Sequence, residues 1–237
     1  MQKLLREAEI VPLGVGFYTV PEAARLLRAS PRNIARWLGG YAFRGRDGKR
    51  INAGPLWRPQ LPRLGTAIEL GFRDLVELRF VNAFVAQGVG LNVIRRCLEN
   101  ARQILGEERP FATRKFLTDG RTIFLDAAAQ EGADAAGVVD LKTNQLAFKA
   151  VVEPTFKDLD FDRDLVVRWR PHRGRQTIVV DPKRAFGAPI LSDYGIPTAA
   201  LAAAAQAEGV ERAARLFETT IALVREAVAF ETSLMAA

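Results

Sequence analysis

Polar side chains that can contact the edges of nucleic-acid bases occur together in the segment SPRNIARWLGG. Arg32, Asn33 and Arg36 lie within about one helical turn and share one face of a predicted helix. The opposite face is apolar and carries Ile34, Trp37 and Leu38. An arginine fork can donate two hydrogen bonds to guanine, an asparagine amide pairs with adenine, and both also bind phosphate. This face is therefore predicted to bind DNA.

A second basic cluster follows directly in YAFRGRDGKR. The Asp-Gly pair at 47–48 predicts a tight turn between two short strands. Four cations flank the turn: Arg44, Arg46, Lys49 and Arg50. Cations on a projecting hairpin suit the phosphate backbone rather than the bases. A solvated pair of basic helices that binds nothing is the alternative explanation of both clusters.

The excess positive charge of the chain lies near its start. The 237 residues carry a formal net charge of +7. Residues 1–65 hold twelve Lys or Arg against four Asp or Glu, whereas the remaining residues hold 22 basic and 23 acidic side chains. This asymmetry indicates a polyanionic partner for residues 1–65, which form a basic head.

Local signals predict the helices that hold the basic residues. Thr19 and Glu22 form a Thr-x-x-Glu capping box at the start of a first helix. Ser30 is predicted to cap a second helix, with Pro31 in its first position, where the missing N–H costs nothing. Gly39-Gly40 is expected to end that helix.

The whole chain predicts an α+β fold in three parts. Residues 1–112 hold the helix pair, the hairpin and two further helices, at about 72–87 and 92–105. The segments KFLTDGRTIFL, VVDLKTNQLAFKAVVEPTF and LVVRWRPHRGRQTIVV predict strands, so residues 113–180 are expected to form a β-rich middle region. Residues 181–237 predict a small helical domain with helices at 198–208, 210–217 and 220–231.

The N-terminal part resembles a known family of regulators. YTVPEAARLLRASPRNIARWLGG is similar to the MerR-type winged helix-turn-helix, and DLVELRFVNAFVAQGVGLNVIRR resembles the helix-glycine-helix stretch that follows the wing in that family. The resemblance implies that the second helix enters the DNA major groove. The next segment, RQILGEERPFATRKF, is predicted to pass into strands instead of the long dimerisation helix of MerR proteins, which argues against a metal- or drug-sensing activator.

Residues 179–231 resemble a small domain of unknown function found in VapB-type antitoxins. The matching positions are Asp181-Pro182, Gly187-Ala188-Pro189-Ile190, Gly195-Ile196-Pro197 and the ending Ala227 to Glu231. The resemblance implies an antitoxin of a type II toxin–antitoxin pair, whose partner is a PIN-like ribonuclease toxin. Glutamates outnumber arginines in the predicted helices of this part, so we expect it to contact protein rather than phosphate.

Four more arginines lie in RWRPHRGR, outside the basic head: Arg168, Arg170, Arg173 and Arg175. A charged hairpin tip is the simple explanation. PIN-like toxins have a cluster of carboxylates in the active site, so the antitoxin resemblance makes these arginines candidates for toxin binding.

The sequence offers little support for catalysis or metal binding. In KDLDFDRDL the acids alternate, but Arg163 and Trp169 stand where a calcium loop needs Gly and Glu, so we expect no metal and no cofactor. Cys97 lies on an apolar helix stripe and is predicted to be core. A single cysteine, no apolar run of membrane-spanning length and no signal-peptide pattern lead us to expect a cytoplasmic protein. The sequence has no Walker loop, no Gly-x-Ser-x-Gly motif and no Cys/His set with metal-ligand spacing, so we expect that it is not an enzyme.

These observations predict a DNA-binding antitoxin that represses its own operon. A homodimer is expected, because one short helix contacts only a few base pairs. The first alternative is a MerR-like transcriptional regulator that binds a small molecule in a pocket of the strand-rich middle. The second is a protein-binding adaptor whose basic head does not bind DNA.

Overall fold

The computed structural model of the chain describes residues 14–44, 48–63, 65–134, 141–172 and 175–235. It mixes helices with small sheets, which confirms the predicted α+β class. Within these ranges, no helix is both long enough and apolar enough to cross a membrane.

The N-terminal elements follow the predicted order. They are β1 (Tyr18–Thr19), α1 (Val20–Leu27), α2 (Pro31–Gly39), β2 (Tyr41–Arg44), β3 (Arg50–Ala53) and β4 (Glu69–Leu70), and β1 pairs with β4. The capping box is present: the Thr19 hydroxyl accepts a hydrogen bond from the Glu22 N–H, and the Glu22 carboxylate accepts one from the Thr19 N–H. Ser30 occupies the predicted cap position of α2, but its side chain makes no capping hydrogen bond.

A glycine allows the β2–β3 hairpin to leave α2 sharply. Gly40 has φ 77°, and a Cβ at this position would lie 2.7 Å from the Ala53 carbonyl oxygen. Any other residue would therefore push the end of the hairpin away from the helix. In the hairpin, Tyr41 pairs with Ala53 and Arg44 pairs with Arg50.

Four helices form the middle of the chain: α3 (Phe72–Ala86), α4 (Leu91–Leu105), α5 (Arg114–Asp134) and α6 (Leu141–Lys157). The first two confirm the prediction of helices at about 72–87 and 92–105. The second two show that the prediction of a β-rich region from residue 113 was wrong for residues 114–134 and 141–157. The prediction that RQILGEERPFATRKF passes into strands was wrong for the same reason, since the 21-residue helix α5 follows it.

The two wrong strand predictions come from residues that favour turns or strands locally but lie in helices in this structure. Asp119-Gly120 suggested a hairpin turn, yet Gly120 lies inside α5, where a Cβ would come within 2.8 Å of the Phe116 ring. In α6, Val151-Val152 and Pro154 suggested a strand and its end. The buried positions of α6 nevertheless follow the helical period: Ala147, Phe148, Val151, Val152, Thr155 and Phe156.

Phenylalanine rings fill the centre of the molecule and hold the middle helices together. Phe80 and Phe84 of α3 contact rings on α5, on α6 and on the 3₁₀ turn Pro110–Ala112, with centroid distances of 5.0–6.4 Å. The other rings of the cluster are Phe111, Phe116, Phe124, Phe148 and Phe156. Burial of such rings stabilises helices that local propensity alone would not select.

A four-stranded antiparallel sheet and three helices complete the chain. The strands β5 (Leu159–Asp162), β6 (Leu165–Trp169), β7 (Ile178–Val180) and β8 (Pro189–Leu191) lie in the order β5-β6-β7-β8. They confirm the strands predicted at the end of the middle region. The helices α7 (Thr198–Glu208), α8 (Val210–Leu216) and α9 (Ile221–Met235) confirm the predicted C-terminal set.

The first and last described elements of the chain pack against each other. The Tyr18 hydroxyl donates to the Gly187 carbonyl at 2.8 Å, and Arg25 of α1 forms a 2.7 Å ion pair with Glu231 of α9. One hydrophobic cluster extends from Tyr18 to Leu234. The division into domains at 112/113 and 180/181 remains a prediction.

Candidate nucleic-acid interface

Helix α2 buries its apolar face and exposes its polar one. Ile34, Trp37 and Leu38 are at most 3% exposed. Arg32 and Arg36 are exposed, and Asn33 is half-buried. The other described residues therefore leave Arg32 and Arg36 uncovered and cover Asn33 only in part.

Two contacts hold the exposed end of α2 in place. The Arg36 guanidinium lies 4.3 Å from the centre of the Tyr41 ring, a cation–π contact that orients the side chain. The Trp37 carbonyl accepts a hydrogen bond from the Leu56 N–H at 2.7 Å, which ties the helix to the chain after the hairpin.

The hairpin presents two arginines directly opposite each other. Arg44 and Arg50 are cross-strand partners and both are exposed, as are Ala42 and Asn52 on the same face. Like charges at such a position repel each other, so this pair lowers the stability of the isolated hairpin and favours a bound anion. Lys49 is also exposed, whereas Arg46 lies outside the described residues.

Two arginines that the sequence did not single out form a clamp behind the hairpin. Arg95 of α4 donates to the Gly54 and Pro55 carbonyls at 2.7 and 2.9 Å, and Arg102 donates to the Leu56 carbonyl at 3.0 Å. These bonds fix the segment that leaves β3. No sequence pattern signals them, because each joins positions about 40 residues apart through a backbone acceptor.

A buried aspartate holds the next part of the same segment. Asp74 accepts hydrogen bonds from the Trp57 indole, the Gln60 N–H and the Gly71 N–H, and it forms a 2.7 Å ion pair with Arg109. Its side chain is fully buried. The segment predicted as a Pro- and Gly-rich link is therefore fastened to α3 by one carboxylate. The signal available in the sequence was an Asp three residues after Gly71, in the first turn of a helix.

The candidate toxin-binding arginines are paired with acids of their own chain. Arg168 lies 3.2 Å from Asp181, Arg170 lies 2.8 Å from Asp160, and Arg175 lies 3.7 Å from Glu226. The side chains of Arg168 and Arg175 are 50% and 66% exposed, whereas that of Arg170 is 19% exposed. Arg173 lies outside the described residues. A protein partner can therefore reach Arg168 and Arg175 more easily than Arg170.

Two of the acids, the histidine and the cysteine considered for catalysis or metal binding are held in ion pairs or buried in the core. Asp158 and Asp160 form ion pairs with Arg79 and Arg170. His172 lies 3.3 Å from the Glu226 carboxylate and packs against the Phe230 ring. Cys97 is 1% exposed, which confirms its predicted place in the core, and burial raises the pKa of its thiol above the usual range.

The fold of this chain is similar to that of a known protein structure. No family model matches the chain. A crystal structure of Rv2018 from Mycobacterium tuberculosis superposes with a TM-score of 0.66 over 91% of this chain and 99% of that one, at 23% sequence identity. The fold is therefore one already seen in a solved structure.

A curated protein of Mycobacterium tuberculosis is similar in sequence. It carries the name "Putative antitoxin VapB45" and is 27% identical over 193 residues, which cover 78% of this chain and 80% of that protein. The similarity thus extends well beyond the C-terminal segment that resembles VapB-type antitoxins.

Proposed function

We propose that this chain is a non-catalytic antitoxin of a type II toxin–antitoxin pair, which acts as a homodimer in the cytoplasm. In this proposal its N-terminal part is a MerR-like winged helix-turn-helix that binds operator DNA and represses its own operon. Its partner is a PIN-like ribonuclease toxin. The similarity to a protein named as an antitoxin over 78% of the chain supports the class.

One observation carries the DNA-binding part of the proposal. The exposed face of α2 continues into the hairpin, where Arg44 and Arg50 are both exposed and face each other as cross-strand partners. This arrangement costs stability in the free protein and becomes favourable against a phosphate backbone. Arg32, Asn33 and Arg36 then contact base edges, and Arg44, Arg46, Lys49 and Arg50 contact phosphates.

Two sets of substitutions separate base contacts from phosphate contacts. Arg36→Ala is expected to weaken binding to the intergenic DNA upstream of the gene by about 1–3 kcal/mol, with little effect on a random duplex. Arg44→Ala/Arg50→Ala is expected to weaken binding to both duplexes. The plot of log K against log salt, which has a negative slope, should also become less steep by about 2, since two phosphate contacts are lost. Fluorescence anisotropy titrations over a range of salt concentrations measure both effects.

Arg215→Ala is the matched control for these titrations. Arg215 is an exposed arginine on α8, so its loss removes one positive charge, as Arg36→Ala does, from a different helix. We expect it to leave both affinities unchanged. If all three variants bind equally well, or if Arg215→Ala is as weak as Arg36→Ala, the assignment of this interface is wrong.

Toxin binding is proposed for Arg168, Arg170, Arg173 and Arg175. The active site of a PIN-like toxin is a cluster of carboxylates, which an arginine can neutralise. Arg168→Ala/Arg175→Ala, which alters the two most exposed of the described candidates, is expected to weaken capture of a PIN-like protein encoded by the neighbouring gene at least tenfold. Pull-down and inhibition of the ribonuclease by the full-length chain measure this effect, and unchanged DNA binding shows that the variant is folded.

The structure removes a premise of the small-molecule alternative. That alternative placed the ligand in a pocket of a strand-rich middle, but residues 114–134 and 141–157 are helices with phenylalanines packed between them. No specific feature of the described residues favours such a ligand over DNA and a protein partner.

A further inference from the structure

A groove between α5 and α6 exposes apolar side chains. Leu117 and Leu146 line it with exposed fractions of 43% and 63%, above the buried side chains of Phe148 and Val152. Two leucines this exposed, on adjacent helices with a shared groove between them, form an apolar surface that another molecule can cover.

Charges of both signs stand at the rim of this groove. Arg121, Lys149 and Glu153 are exposed, and none of them has an ion-pair partner among the residues that the structure describes. Around the equally exposed Leu216, by contrast, neighbouring charges already pair as Glu208–Arg212 and Glu211–Arg225. The groove thus combines apolar exposure with charges that are unpaired among the described residues and can pair with another molecule.

We propose that a second copy of this chain binds at the α5–α6 groove. In a two-fold dimer the same patch meets itself, so it must carry both signs of charge in complementary places. Glu153 of one copy can then pair with Arg121 or Lys149 of the other, while the leucines pack across the axis.

A dimer formed at this groove would also space its two α2 helices for two DNA half-sites, an argument that depends on the proposed function. Glu131 of α5 lines the same surface hollow as Arg36 of α2. Arg121 lies ten residues earlier on α5, about 15 Å away at 1.5 Å per residue. If α5 runs perpendicular to a two-fold axis near Arg121, the two copies of Glu131, with α2 beside them, lie about 30 Å apart, close to the roughly 34–36 Å between half-sites one helical turn apart.

Sedimentation equilibrium of the full chain without DNA tests the proposal. The wild type is expected to be a dimer, and Leu146→Glu is expected to raise the dimer dissociation constant about 100-fold or more, since it places a carboxylate in an apolar contact. Leu216→Glu makes the same change at a side chain that is also 63% exposed, and it should leave the dimer intact. Equal thermal unfolding midpoints at a fixed low concentration would show that both variants are folded.

Charge reversal tests the self-complementarity directly. Glu153→Lys alone and Arg121→Glu/Lys149→Glu alone should each weaken self-association, and an equimolar mixture of these two variants should recover a dimer. A monomeric wild type, a Leu146→Glu variant that dimerises normally, or one that stays dimeric but no longer captures the neighbouring gene product would each overturn the proposal. Because no DNA is present, failure of DNA binding is a separate result.

Discussion

Arg79→Ala is expected to destabilise the protein by about 3–5 kcal/mol, the cost of leaving a buried charge without its partner. Arg79 of α3 forms an ion pair with Asp158 at 2.7 Å and donates to the Thr155 carbonyl at 2.8 Å. Its guanidinium also lies 5.1 Å from the centre of the Trp169 ring. One side chain therefore joins α3 to the end of α6 and to the sheet. Urea unfolding at a fixed protein concentration measures the loss.

Arg212→Ala is the matched control, because the two ion pairs have equal lengths but different exposures. Arg212 and Glu208 are also 2.7 Å apart, but their side chains are 70% and 42% exposed, against 17% and 15% for Arg79 and Asp158. An exposed pair of this kind contributes about 0.5 kcal/mol or less. If the two variants unfold at the same urea concentration with the same slope, the Arg79–Asp158 pair does not stabilise the junction.

Burial shifts the pKa values of Arg79 and Asp158 in opposite directions. Desolvation lowers the pKa of Arg79 and raises the pKa of Asp158, while the attraction between the two groups works against both shifts. Arg79→Lys keeps the positive charge but loses the fork that bonds Asp158 and the Thr155 carbonyl together. Its stability should therefore fall between those of the wild type and Arg79→Ala.

The helices α1 and α2 were predictable because the sequence signals that start and end them are local. The Thr19–Glu22 box, Pro31 and Gly40 set the limits of α1 and α2 within a few residues of sequence, and the structure has those helices there. The exposed face of α2 followed from the same period, since burying Ile34, Trp37 and Leu38 leaves Arg32 and Arg36 outside.

The middle of the chain was not predictable from local signals, because distant packing decides its structure. Asp119-Gly120 has the chemistry of a turn, and Val151-Val152 has the chemistry of a strand. Both segments are helical because Phe124 and Phe148 contact Phe84 of α3, and Phe116 contacts Phe148, in one core. The supports of the candidate interface were missed for a related reason: Arg95 and Arg102 bind backbone carbonyls, which every residue has.

A buried acid is expected to make the stability of this protein fall as the pH rises. Glu77 of α3 is 1% exposed, and its carboxylate accepts a hydrogen bond from the Ala112 N–H. Its second oxygen has no partner among the described residues. Burial raises the pKa of Glu77 from 4.5 to about 8, an effect that the Ala112 bond and the nearby Arg102 and Arg109 only partly offset.

The sign of the pH dependence follows from where the proton is held. Between pH 4.5 and about 8 the folded chain keeps the proton of Glu77, while the unfolded chain releases it. Unfolding therefore releases one proton in this range, and the free energy of unfolding decreases by up to about 1.4 kcal/mol per pH unit. Above about pH 8 both states are ionised at this position, and the contribution becomes constant.

Glu77→Gln isolates this contribution, because an amide of the same shape does not titrate. The amide oxygen can still accept from the Ala112 N–H, so the variant should fold, with a constant cost for any donor left unpaired. Relative to the wild type, its free energy of unfolding should rise steadily from pH 5 to pH 8 and then level off in urea titrations. Glu99→Gln, on the exposed side of α4, should run parallel to the wild type throughout. A constant difference between Glu77→Gln and the wild type over this range would show that Glu77 is ionised in the folded protein.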